Sequence, residues 1–193
     1  MKKSTIITLI VVAVLAIWGV SGYNSLVNLD ETVENNWAQV ETQYQRRLDL
    51  IPNLVNTVKG YASHEKSTLE GVIAARSKAT QITIDPKNIT PEKMAEYQKA
   101  QGDVSSALGK LLAIRENYPD LKANEQFIGL QAQLEGTENR IAVARKNFND
   151  VTKDYNKSIR KFPKNILAGI FGFDKKAYFQ ADEAASSAPK VEF

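Results

Sequence analysis

Hydrophobic residues along this chain fall into one unbroken run and several stripes at helical spacing. Between Lys3 and Asp30 no residue is charged, and Ile6 to Val20 is almost entirely Ile, Val, Leu and Ala. A bilayer-spanning helix needs about 20 predominantly apolar residues. Residues 4–23 supply that length, with Trp18 and Tyr23 at the positions of interfacial aromatics. Next, Val33, Trp37, Val40, Tyr44, Leu48, Ile51, Val55, Val58 and Ala62 recur in steps of three and four. That spacing predicts a long amphipathic helix. Pro52 lies within it and predicts a kink near Leu48, because an interior proline removes a backbone hydrogen bond.

A second stripe runs through Leu69, Val72, Arg76 and Ala79, with Ser63 as a candidate N-cap. After a loop over residues 83–90, Thr90 caps a third helix with Pro91 in its first turn. Its stripe is Met94, Tyr97, Gln101, Val104, Leu108, Leu111 and Arg115, and Tyr118-Pro119 ends it. In the last helix Phe127, Leu134, Ile141, Phe148, Tyr155 and Phe162 recur every seven residues. Leu130, Thr137, Ala144, Val151 and Ser158 accompany them, so large side chains alternate with mostly small ones and neighbouring helices can interdigitate.

Helix length decides the packing. At 1.5 Å per residue, the first helix after the apolar run (residues 23–61) and the last (121–162) are each about 60 Å long. The middle two are about 24 and 39 Å, and their loop spans the shortfall. The expected fold is all-α: an N-terminal transmembrane helix, then an antiparallel up-and-down four-helix bundle over residues 24–163. Residues 164–185 form an apolar capping or interfacial segment with a short helix, and residues 186–193 a flexible tail. A three-helix alternative fuses the first two helices through His64-Glu65.

The apolar run also admits a cleaved signal peptide, with Lys2-Lys3 as its basic start and Val20-Ser21-Gly22 as its cleavage site. The run exceeds the usual apolar core of a signal peptide and flows on without a break, so the anchor is the preferred reading. Lys2 and Lys3 precede it, while Asp30, Glu31 and Glu34 follow. The positive-inside rule then places residues 1–3 in the cytoplasm and the bulk of the domain on the non-cytoplasmic side of the cell membrane.

Composition narrows the chemistry. The net charge of +3, without a basic stripe interleaved with aromatics, argues against nucleic acid. Having no cysteine excludes disulfides, thiolate metal sites, a cysteine nucleophile and a lipid-modified cysteine anchor. His64 is the single histidine, and no Glu stands three before it, so no metal and no cofactor are expected. No phosphate-binding glycine loop or serine elbow is present. Gly102, Gly109, Gly129 and Gly136 read as close-packing positions in helices. The chain is accordingly read as non-enzymatic.

Several stretches carry a resemblance: Asn35-Asn36-Trp37, Arg47, Leu50-Ile51-Pro52-Asn53-Leu54-Val55, and Leu134-Glu135-Gly136-Thr137-Glu138-Asn139-Arg140-Ile141. Arg145, Phe148-Asn149, Tyr155-Asn156, Phe162-Pro163 and Pro189-Lys190-Val191-Glu192-Phe193 continue it. In these the chain resembles the LemA family of bacterial membrane proteins. The resemblance implies a single-span protein with an antiparallel helical-bundle domain, and no established activity.

Two features remain for function. Asn139, Arg145, Asn149 and Asn156 lie beside the seam of the last helix, as do Arg47, Asn53 and Arg76 on earlier helices. Buried polar groups need partners, so these form either interhelical hydrogen bonds fixing register or a polar groove for a ligand or partner peptide. From Arg140 to Lys164 there are eight Lys or Arg against two Asp. This charge either complements a helix dipole on a solvated face or places Lys157, Arg160, Lys161 and Lys164 beside the membrane. The apolar segment that follows, with Ile170, Phe171 and Phe173, then lies in the interface or caps the bundle. Ala184 to Phe193 reads as a frayed tail or a docking segment. The leading expectation is a membrane-tethered interaction or scaffold module. Its partners would be the bilayer and an unidentified protein. The alternative is a bundle that binds a lipid or small ligand near the membrane.

Overall fold

A computed structural model describes residues 3–180. Among them every regular element is a helix: α1 (Lys3–Tyr61), α2 (Lys66–Gln81), α3 (Pro91–Ala113), a 3-10 turn (Ile114–Asn117), α4 (Pro119–Lys122), α5 (Glu125–Arg160) and α6 (Lys164–Phe171). The apolar run and the first amphipathic stripe are one continuous helix of 59 residues, about 88 Å long. Its first part, including Ile7, Val12, Ile17 and Val20, is exposed, and burial begins at Gly22 and Leu26.

Pro52 sits inside α1 without ending it. Proline lacks the N–H that would bond the carbonyl four residues earlier. That carbonyl, Leu48 O, instead accepts from Arg76 Nε of α2 at 2.9 Å. The second helix therefore supplies the donor that the proline removes from the first.

The termini follow local chemistry. Thr90 Oγ1 accepts from Lys93 N–H and Pro91 stands at the start of α3, as the pattern predicts. Asn124 caps α5 by accepting from Phe127 N–H at 2.8 Å. Helix α2 begins at Lys66 without a side-chain cap, so Ser63 does not serve as one. The chain is non-helical at residue 62 and again through residues 63–65, which separates α1 from α2.

Helices α1 and α5 run antiparallel in constant register. Asn124 Nδ2 donates to Tyr61 Oη (2.9 Å), Arg47 pairs with Glu138 (2.9 Å) and Trp37 meets Phe148 edge-on; past the end of α5, Lys164 of α6 donates to Ser25 Oγ (2.7 Å). Arg47 joins three helices: Nη1 donates to Ser105 Oγ and to Glu138 Oε1, and Nη2 to the carbonyl and side-chain oxygens of Gln101. This fixes α3 parallel to α1, since Trp37 also meets Tyr97.

The interior has two parts. At the end far from the apolar run, Leu48 to Val58 of α1 pack with Leu69 and Val72 of α2, Val104 and Leu108 of α3, and Phe127 and Leu134 of α5. At the near end α2 is absent. There Trp37, Val40 and Tyr44 pack with Tyr97, Phe148 and Tyr155, and with Ile84 and Ile89 from the α2–α3 loop. Phe179, from the chain after α6, completes this second core.

Two further expectations are corrected. Apart from the backbone of their own helix, no neighbour lies within 4 Å of where a Cβ would stand at Gly102, Gly109 or Gly129, and only the Arg140 guanidinium approaches Gly136. These glycines face outward; the close approach is at Gly22, where such a Cβ would lie 2.6 Å from Leu167 Cδ1 of α6. Phe162 does not continue the seven-residue seam, because α5 ends at Arg160 and leaves Phe162 81% exposed.

Candidate functional site

Helix α6 ends at Gly172, whose φ of +73° is the left-handed turn that glycine adopts without steric cost. The chain then runs back along α5 as an extended segment over residues 173–180. Its backbone is held by side-chain amides. Asn156 Nδ2 donates to the Lys176 carbonyl (2.8 Å) while Asn156 Oδ1 accepts from Lys176 N–H (3.0 Å). Asn149 holds Phe179 in the same way, at 3.0 and 2.9 Å.

The spacing explains why two asparagines suffice. Asn149 and Asn156 are two helical turns apart, about 10.5 Å along α5. Three residues of extended chain, from Lys176 to Phe179, cover about 10 Å. On the far side Gln98 of α3 donates to the Gln180 carbonyl and accepts from its N–H, and Arg145 also donates to that carbonyl. Ala177 N–H bonds the Ile89 carbonyl at 3.0 Å. An extended chain offers donors and acceptors on both edges, and here both edges are met.

Side chains anchor it as well. Phe179 stacks on Trp37, meets Phe148 edge-on and lies under the Arg145 guanidinium. Lys176 is only 3% exposed. Its Nζ pairs with Asp30 of α1 at 2.5 Å, donates to the Pro86 carbonyl at 2.9 Å and sits over the Tyr155 ring. Burial pushes the Tyr155 phenol above its ordinary range, and the nearby Asp30 and Asp174 add to that. Tyr97, beneath the same aromatic cluster, is raised by burial too, then by Tyr44 and Glu41.

Three of the four groove residues read from the sequence thus meet on one feature. Arg145, Asn149 and Asn156 bind the chain's own segment rather than another helix. Asn139 lies elsewhere, exposed beside Gln39, Gln43 and Asn147 in an open hollow of about 390 Å³ between α1 and α5. The register-fixing bonds belong instead to Arg47 and Arg76. Lys176, Asp30 and Gln98 carried no sequence signal: the segment has no periodicity, and a buried lysine is not marked by its neighbours.

The basic and apolar residues assigned to the membrane side also gather. Lys157, Arg160 and Lys161 are exposed at the end of α5, and Lys164 is half-buried on Ser25. Ile170 and Phe171 are exposed on α6, and Phe171 and Phe173 contact the Tyr23 ring at 4.7 and 5.8 Å. The docking motif Pro189-Lys190-Val191-Glu192-Phe193 and the tail from Ala184 lie outside the described residues. Among those described, no group of three or more His, Cys, Asp or Glu comes together to hold a metal. His64 is exposed in the turn between α1 and α2.

An all-helical protein with one long apolar N-terminal helix and a self-filled polar groove is the class these features define. The chain belongs to the LemA family, whose profile matches residues 36–193. The magnetosome protein MamQ 2 of Paramagnetospirillum magneticum is 28% identical over 186 residues, covering 86% of this chain and 67% of that protein. MamQ of Magnetospirillum gryphiswaldense, also a magnetosome protein, is 28% identical over 182 residues, with the same coverage of 86% and 67%. Protein LemA of Metamycoplasma hominis is 25% identical over 160 residues, covering 83% of this chain and 69% of its own length.

Proposed function

We propose that this chain is a membrane-anchored, non-enzymatic module that holds a helical bundle at the bilayer surface for a protein partner. The observation that carries this is the continuity of α1. Its exposed apolar residues, from Ile6 to Val20, lead without a break into the buried stripe that begins at Leu26. Exposed apolar surface of this extent is costly in water and is matched by hydrocarbon. A continuous helix has no joint, so the anchor and the bundle move as one body.

In this reading α1, α2, α3 and α5 form an antiparallel up-and-down four-helix bundle. The chain's own extended segment stands in for α2 at the membrane end. The bundle lies on the non-cytoplasmic side of the cell membrane. Two relatives are named as magnetosome proteins, which supports a membrane setting for this chain.

Alkaline carbonate washing of membranes tests the anchor. The full chain is expected to stay in the pellet, and Leu9→Arg with Val12→Arg to release a folded helical protein. Extraction of the unaltered chain by carbonate would refute the reading.

A further inference from the structure

At the anchor end, a second hollow of about 420 Å³ opens between α1 and the turn joining α5 to α6. Its walls include Lys157, Lys161 and Lys164 on one side and Trp18 of the apolar run on the other, with Phe162 at the rim. Asp154 also lines it, so three ammonium groups face one carboxylate. Lys164 is held in place by its bond to Ser25 Oγ. Lys157 and Lys161 are exposed, and among the described residues their ammonium groups have no hydrogen-bond or ion-pair partner.

We propose that this hollow binds the phosphate of an anionic glycerophospholipid from the surrounding bilayer. The site rests on the anchor reading above. If residues 4–23 span the membrane, Trp18 lies five residues inside the end of the span, about 7.5 Å deep. The hollow then opens where headgroups meet hydrocarbon. Lysines there attract the phosphates of anionic lipids. Phe162, Ile170 and Phe171 are exposed to the extent of 81, 69 and 55%; Phe162 lines the hollow and Phe171 meets the Tyr23 ring at the end of the apolar run. The most exposed aromatic thus stands beside the lysines, an arrangement that suits an interfacial site, where acyl chains cover the ring while phosphate meets the ammonium groups.

Full-length chain in nanodiscs of equal parts phosphatidylcholine and phosphatidylglycerol, ejected for native mass spectrometry, reads the lipids retained. Phosphatidylglycerol adducts are expected to exceed phosphatidylcholine adducts several-fold. Lys157→Gln with Lys161→Gln is expected to bring the ratio near one, while Lys157→Arg with Lys161→Arg retains it. Equal retention of both lipids by the unaltered chain would overturn the site and leave the anchor standing. Failure to enter nanodiscs of phosphatidylcholine alone would overturn the anchor, and the site with it. Stripping of the retained lipid by free glycerol phosphate would show a soluble phosphate as ligand and also overturn the lipid assignment.

Discussion

The carboxamide of Asn149 takes both backbone polar groups of Phe179, donating to its carbonyl at 3.0 Å and accepting from its N–H at 2.9 Å. Asn156 repeats the arrangement at Lys176. Together they turn one face of a helix into a template for an extended chain. The consequence is that the near-end core is closed by residues after the last helix rather than by a helix.

Replacing both asparagines by alanine is expected to free this segment. Leaving a buried donor or acceptor unsatisfied costs about 1–3 kcal/mol at each position. Amide exchange at Lys176 and Phe179 should accelerate strongly, while amides of α1 and α5 at the far end keep their protection. Unchanged protection at both residues would contradict the clamp.

The bond from Arg76 to the Leu48 carbonyl predicts a coupling with Pro52. Arg76→Ala is expected to cost about 1–3 kcal/mol by orphaning that carbonyl. In a Pro52→Ala background the residue at 52 regains an N–H and can bond Leu48 within the helix. The cost of Arg76→Ala should then fall by more than half in a double-mutant cycle of denaturation midpoints. Additive effects would mean that Arg76 acts through something other than the orphan carbonyl.

Much of the fold was legible because apolar periodicity reports burial directly. Trp37, Tyr44, Phe127, Phe148 and Tyr155 stand on the apolar stripes and all are buried. The site was legible only in part. Arg145, Asn149 and Asn156 stood out because polar residues beside a seam need partners, but periodicity cannot say that the partner is the backbone of an irregular segment. Lys176 was invisible for a related reason: its burial is set by Asp30 and Pro86, far away in sequence. The outward placement of the glycines is not legible, because a helical glycine carries no side chain to mark which face it occupies.

Alkaline pH should expose the cost of burying the phenols. Burial holds Tyr97 and Tyr155 above their ordinary range in the folded chain, whereas unfolded tyrosine titrates at about 10. The unfolded state therefore loses these protons first. Their contribution to stability is full below pH about 10 and declines as pH rises beyond it. Urea midpoints at rising alkaline pH are expected to fall, and to fall less for Tyr97→Phe. An equal fall in that variant would remove Tyr97 from the account.

The contact of Gly22 with Leu167 predicts a size-sensitive joint between α1 and α6. Gly22→Ala is expected to push Leu167 aside at a cost of about 1–3 kcal/mol, enough for about tenfold faster amide exchange in α6. Adding Leu167→Ala should restore much of the protection by making room for the new methyl. Identical α6 exchange in Gly22→Ala and the unaltered chain would show that the helices do not press together there.

Thiol labelling decides whether one helix crosses the membrane and carries the bundle outward. The sequence contains no cysteine, so His64→Cys places a single thiol in the exposed turn at the far end of α1. A membrane-impermeant maleimide is expected to label it in intact spheroplasts as fully as after lysis. Labelling only after lysis would contradict the outward placement of the bundle.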